Sequence, residues 1–178
     1  MKFQAAFPVI LSFTGVALAV TVATVLSDIA TISSQTTTLD NAIKAFPNTG
    51  GSLTSALAIH NDATNLVTSI NQGTADVQAV PLPISESDGQ SVLSAVQAFE
   101  PTILDALTQV VAKKAAFAAL PIGGIPALVK QDLINLNAST FAFEAALIST
   151  APTDLVPTAT SIKSSIDAAF ATAVAAYS

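Results

Sequence analysis

Cysteine is absent from this chain, which removes disulfides, thiol chemistry and thiolate metal sites together. Arginine is absent as well, and the lysines are scattered apart from Lys113-Lys114. With no basic stripe to neutralise a phosphate backbone, nucleic acid is excluded as a partner, and polybasic attachment to anionic membranes is disfavoured. A single histidine and no Asp-rich calcium loop leave no ligand set for a metal ion. Gly123-Gly124 runs into Ile125-Pro126 rather than Lys-Ser/Thr, so it reads as a turn, and no cofactor is expected. There is no Gly-x-Ser-x-Gly elbow and no nucleophile paired with a base, so the chain is not expected to be an enzyme.

Charge is scarce too. Only 10% of residues are charged, against roughly 25% in ordinary soluble domains. Small residues stand in their place, with 34 Ala, 20 Thr and 17 Ser among 178 residues. The faces that meet solvent must therefore be largely hydroxyls and methyls, a weakly hydrated surface that adsorbs readily.

After Lys2 the chain carries no charge until Asp28. On length alone this run suits either a signal peptide or a membrane span. Ala17-Leu18-Ala19 supplies a small-x-small site after the apolar region from Phe3 to Val16, so residues 1–19 are expected to be a signal peptide cleaved after Ala19. From there Val22, Val25, Ile29, Ile32, Thr36, Leu39, Ile43 and Phe46 keep a 3-4 spacing, the mark of an amphipathic helix and not of a membrane span. The mature chain, 20–178, is expected to be one domain with no integral membrane span. It ends at Ser178 within an amphipathic pattern, without the apolar tail of a GPI anchor.

Prolines and glycines at Pro47 with Gly50-Gly51, Pro81 with Pro83, Pro121 through Pro126, and Pro152 with Pro157 divide the mature chain into periodic segments. The second segment carries Leu53, Ala56, His60, Ala63, Val67, Ile70, Thr74 and Val77 on one face. A third opens at Ser85-x-x-Asp88 and carries Val92, Val96, Phe99, Ile103, Ala106, Val110 and Phe117, with a second stripe at Leu93, Leu104, Leu107 and Val111. Pro101 either kinks this helix or splits it. The fourth shows Val129, Leu133, Leu136, Phe143 and Leu147, and the fifth Ile162, Ile166, Phe170, Val174 and Tyr177. No segment alternates with period two. The expected fold is all-α, an up-and-down bundle of about five long amphipathic helices. Its seams mix large residues with Thr36, Ala56, Ala63, Thr74, Ala106, Thr140, Ala169 and Ala173, which either lets backbones approach closely or leaves an apolar channel of acyl-chain size.

The order of these elements, together with the stretch from Leu107 to Phe117 containing Lys113-Lys114-Ala115-Ala116-Phe117, resembles the fungal hydrophobic surface-binding protein A family, which is related to cell-wall galactomannoproteins. The resemblance runs from about residue 22 to 177. It implies a secreted helical domain that adsorbs to hydrophobic surfaces, and in the mannoprotein relatives a bundle that takes up fatty acids. The Ser/Thr-rich tail common in those relatives has no counterpart here, which argues against permanent wall anchorage.

The expected function is thus binding of fatty-acyl chains, other lipid or a hydrophobic surface through Phe99, Ile103, Val110, Phe117, Leu133, Leu136, Phe143, Ile166 and Phe170. A secreted hydrolase recruited to the coated surface is a further partner class. Candidate headgroup contacts are His60, Lys113 and Lys114, the lysines near the exposed side of their helix, although a lone seam histidine is more often a hydrogen-bonded structural residue. The carboxylate pairs Glu86/Asp88 and Glu100/Asp105 are better explained as a helix N-terminus and as solvated surface than as acid-base machinery. Asn137-Ala138-Ser139 is a glycosylation sequon. The expected location is extracellular or loosely wall-associated, and the competing reading is a structural, mannosylated cell-wall protein.

Overall fold

The computed structural model describes residues 20–178; the expected signal peptide lies outside the described residues. Five long helices, α1 (Val22–Ala45), α2 (Leu53–Ala79), α3 (Glu86–Ala112), α5 (Ile125–Thr150) and α6 (Val156–Ala176), are joined by tight turns, with a short α4 (Lys114–Ala118) after α3. The single turn of α4 is the one helix that periodicity did not separate from its neighbour.

Local chemistry sets the boundaries. Thr21, Ser52 and Ser85 each accept a hydrogen bond from the backbone N–H three residues on, filling donors that a helix start leaves open. Gly124 takes φ 96° immediately before α5, a conformation costly for a residue with a Cβ, and Pro126 then occupies the first turn. Pro101 neither splits nor ends α3, which runs unbroken through it. It sits on the exposed face, while Leu93, Phe99, Ala106, Leu107 and Val110 on either side are buried. That two-sided packing outweighs the roughly 3 kcal/mol a helical proline costs.

Along α1 the expected face is the buried one, from Val25 through Ile43. On α2 it is rotated. The buried row is Ala56, Ile59, Ala63, Leu66, Ile70, Gly73 and Val77, so His60, Val67 and Thr74 lie at its edge rather than on the seam. The two rows share alternate members, and α2 turns toward Ile59 and Leu66 because it is wedged between α1 and α5.

Each long helix touches two others, in the circular order α1, α2, α5, α6, α3 and back to α1. Five helices in a ring cannot all meet at one line, so space remains along the axis wherever the inward side chains are small. One end is plugged: Phe46 and Phe117 stack at 4.5 Å, and the Tyr177 hydroxyl donates to the Val110 carbonyl at 2.7 Å. Among the described residues no helix is long and apolar enough to cross a membrane.

Candidate functional site

Two cavities lie inside the ring. The first, of about 60 Å³, is at the unplugged end, between the start of α1 (Val22, Val25), the end of α2 (Val77, Val80), the start of α3 (Gly89, Val92) and the turn joining α5 to α6. The second, of about 70 Å³, lies at mid-bundle, walled by residues such as Ile32, Leu66, Phe99, Phe143 and Phe170. Including their open mouths, the voids reach about 700 and 660 Å³. Val96, Glu144 and Leu147 border both, so the cavities abut end to end. The α3 wall of the inner cavity, Val96 to Leu107, spans roughly 16 Å at 1.5 Å per residue. A single acyl chain spans half of a bilayer's hydrocarbon core, or roughly 15 Å.

The walls carry two charged groups, Glu144 and Lys163. Glu144 is 8% exposed, and its Oε1 has no hydrogen-bond partner. Its Oε2 accepts from Lys163 Nζ at a long 3.3 Å, while that ammonium donates to Asp167 Oδ2 at 2.7 Å and sits 3.7 Å from the Phe141 ring centroid. Burial pushes the Glu144 carboxyl up to about 7, Lys163 opposing the rise and Asp167 adding to it. Two carboxyl pairs that line neither cavity are shifted as well. Asp28 is raised by burial and then by Asp76, and Glu86 by burial and then by Asp154.

Of the residues expected to meet lipid, Phe99, Ile103, Leu136, Phe143, Ile166 and Phe170 line the inner cavity, joined by the small residues Thr36, Ala106 and Thr140. Val110, Phe117 and Leu133 are buried but border neither cavity; the first two belong to the plug. The headgroup candidates are not on the cavity walls either. His60 Nδ1 pairs with Asp132 Oδ1 at 2.9 Å across the α2–α5 edge, the structural role common for a lone histidine. Lys113 is buried rather than exposed, donating to Asn48 Oδ1 at 2.9 Å, and the exposed Lys114 donates to the Ala176 carbonyl. Glu86 and Asp88 do sit in the first turn of α3, and Asp105 pairs with Lys44, which holds its carboxyl below the usual range. Asn137 is half-buried and Ser139 buried within α5.

Glu144 and Lys163 were not singled out from sequence, though a signal existed. Glu144 is the only charge between Asp132 and Asp154, and Lys163 the only basic residue after Lys130. Each also directly follows a seam residue, Phe143 or Ile162.

No curated protein matches the sequence. Among solved structures, that of AFMP4P in complex with palmitic acid is 34% identical, with a TM-score of 0.81 over 88% of this chain and 99% of that one. Ligand binding domain 1 of the Penicillium marneffei MP1 protein, complexed with arachidonic acids, is 20% identical with a TM-score of 0.76, covering 85% of this chain and 95% of that one. Domain 2 of the same protein, also complexed with arachidonic acids, is 17% identical with a TM-score of 0.73 over 86% and 92%. The last two share the fold. The family model for hydrophobic surface binding protein A matches residues 22–149, and with the 34% identity over nearly the whole bundle this decides the matter: the chain belongs to the hydrophobic surface binding protein A family.

Proposed function

We propose that this chain is a secreted protein whose work is to hold a fatty-acyl chain inside the helical ring, entering from the unplugged end and filling the inner cavity. The observation that carries this reading is the pair of abutting apolar cavities, whose inner member matches one acyl chain in length. AFMP4P, whose structure holds palmitic acid, supports it by sharing fold and family. At about 0.8 kcal/mol per buried CH₂, sixteen carbons gain on the order of 12 kcal/mol gross. Association costs of at least about 4 kcal/mol leave at most about 8, so micromolar binding is the upper limit of what this burial supplies. The wall side chains must give way to admit the chain, because the cavities are narrow when empty.

Adsorption to hydrophobic solids follows from the same surface in another state. Phe99, Phe143 and Phe170 are buried, so spreading onto a solid through them requires the ring to part. The exposed apolar side chains Leu57, Leu82, Ile122, Ile134 and Phe141 offer contact without opening. Recruitment of a secreted hydrolase to the coated surface is the partner role consistent with this picture.

A wall-bound, mannosylated form is the second reading, favoured by hydroxyl-rich outer faces such as Thr31, Thr37, Thr64 and Thr172. These hydroxyls donate to carbonyls one turn back, which leaves their oxygens as acceptors on the surface. A glycan at Asn137 would have to be attached before Ser139 is buried.

Titrating a fluorescent fatty acid into delipidated protein, alongside depletion from solution by polyester particles, tests the leading reading. Saturable binding is expected. The absence of both saturable binding and depletion would defeat it, and a glycan-shifted, detergent-resistant wall fraction would favour the second reading. N-terminal sequencing of the secreted protein is expected to begin at Val20.

A further inference from the structure

We propose that Glu144 and Lys163 form the polar end of the acyl site, where the carboxyl group of a fatty acid sits against the Lys163 ammonium and shares one proton with the Glu144 carboxyl. This rests on the acyl-site reading of the cavities and adds to it a ligand class and a pH dependence.

The geometry carries the assignment. An acyl chain in the inner cavity with its head at the junction brings that head to Glu144, the one charged residue bordering both cavities. Glu144 Oε1 is buried without a hydrogen-bond partner, and a buried acceptor left unpaired costs free energy that a donor from a ligand would recover. Lys163, on the outer cavity wall, has three N–H donors, of which Asp167 and Glu144 engage two. The cavity linings from α1, α2 and α3 bring no titratable group. The charges acting on Glu144 come from α6, Lys163 within hydrogen-bond reach and Asp167 beyond it.

Two ionised carboxylates cannot share this pocket with one ammonium that Asp167 already engages, because like charges at contact distance in a dry site repel strongly. One proton held between them turns repulsion into a short, charge-assisted hydrogen bond. Above about pH 7, where free Glu144 ionises, binding a fatty acid must then take up that proton from solution. Affinity accordingly falls by up to about tenfold per pH unit. A fatty alcohol needs no proton, since its O–H donates to an ionised Glu144 or accepts from a neutral one.

Equilibrium dialysis of delipidated protein with lauric acid and, separately, dodecanol between pH 6 and pH 9 tests this. Laurate affinity is expected to drop about tenfold from pH 7.5 to 8.5, with dodecanol changing less than about twofold. In Glu144→Gln the laurate slope should vanish and affinity at pH 8.5 should exceed that of the parent. Lys163→Met should weaken laurate about tenfold at pH 6.5 and spare dodecanol. Equal slopes for acid and alcohol in the parent, a comparison that needs no variant, would overturn the proposal while leaving the acyl site standing, as would a Glu144→Gln slope equal to the parent's. Binding of neither ligand at any pH would overturn the acyl site itself, and this proposal with it.

Discussion

Replacing Glu144 by Gln should stabilise the ligand-free protein at neutral and alkaline pH and do little in acid. The Glu144 carboxyl is raised from 4.5 to about 7 in the folded chain, chiefly by burial. A group whose folded value lies above its unfolded one binds its proton more tightly in the folded state. Its favourable contribution is therefore complete below about pH 4.5 and is lost progressively as pH rises to about 7. At 1.36 kcal/mol per pKa unit the loss amounts to about 3 kcal/mol, the cost of carrying a buried carboxylate whose one ionic contact is a long 3.3 Å. Gln keeps the shape and a hydrogen-bonding head but carries no charge at any pH. Thermal unfolding followed by far-ultraviolet circular dichroism from pH 4 to pH 8 should show parent and variant nearly equal at pH 4. At pH 8 the variant should melt about 6 to 12 °C higher, since about 1 kcal/mol moves Tm by roughly 2 to 4 °C in a protein this size. Asp28, Glu86 and Asp132 are also raised by burial, so the parent's own profile mixes several groups. The difference between the two proteins isolates Glu144. A Tm difference constant across the range would refute the burial argument.

Ala106→Phe puts a ring into the inner cavity and should weaken fatty-acid binding at least tenfold with helicity intact; if surface adsorption survives the change, adsorption uses the outer faces. Ala63 is buried but borders neither cavity, so Ala63→Phe should overpack the bundle and cost about 1–3 kcal/mol in urea unfolding rather than block the site. Gly89→Ala, ordinarily worth up to about 1 kcal/mol in a helix, should instead destabilise, because a Cβ there would lie 2.6 Å from Pro152 Cδ; a raised urea midpoint would refute this. Tyr177→Phe removes the buried bond to the Val110 carbonyl and should lower stability by about 1 kcal/mol, measured the same way.

The helices could be read from the sequence because each one's apolar face repeats in its own residues. Val25 through Ile43 needed no neighbour to be recognised as a seam, and the Ser and Pro signals at Ser52, Ser85 and Pro126 act within a single turn. Family membership was legible for the same reason, since it lies in the order and spacing of those local patterns. Six of nine expected lipid-facing residues line the inner cavity because large side chains on a seam face the axis wherever the ring leaves space. What the sequence could not decide is which helices are neighbours. A stripe states that a face is buried but not against what, so the rotation of α2 that took His60 off the seam depended on its wedging between α1 and α5. The same holds for charge. Glu144 and Lys163 lie 19 residues apart on different helices, and periodicity gives no measure of how much water either keeps. Desolvation depends on every atom around a carboxyl, and only ring closure brought α6 against α5 and left Glu144 Oε1 buried without a hydrogen-bond partner.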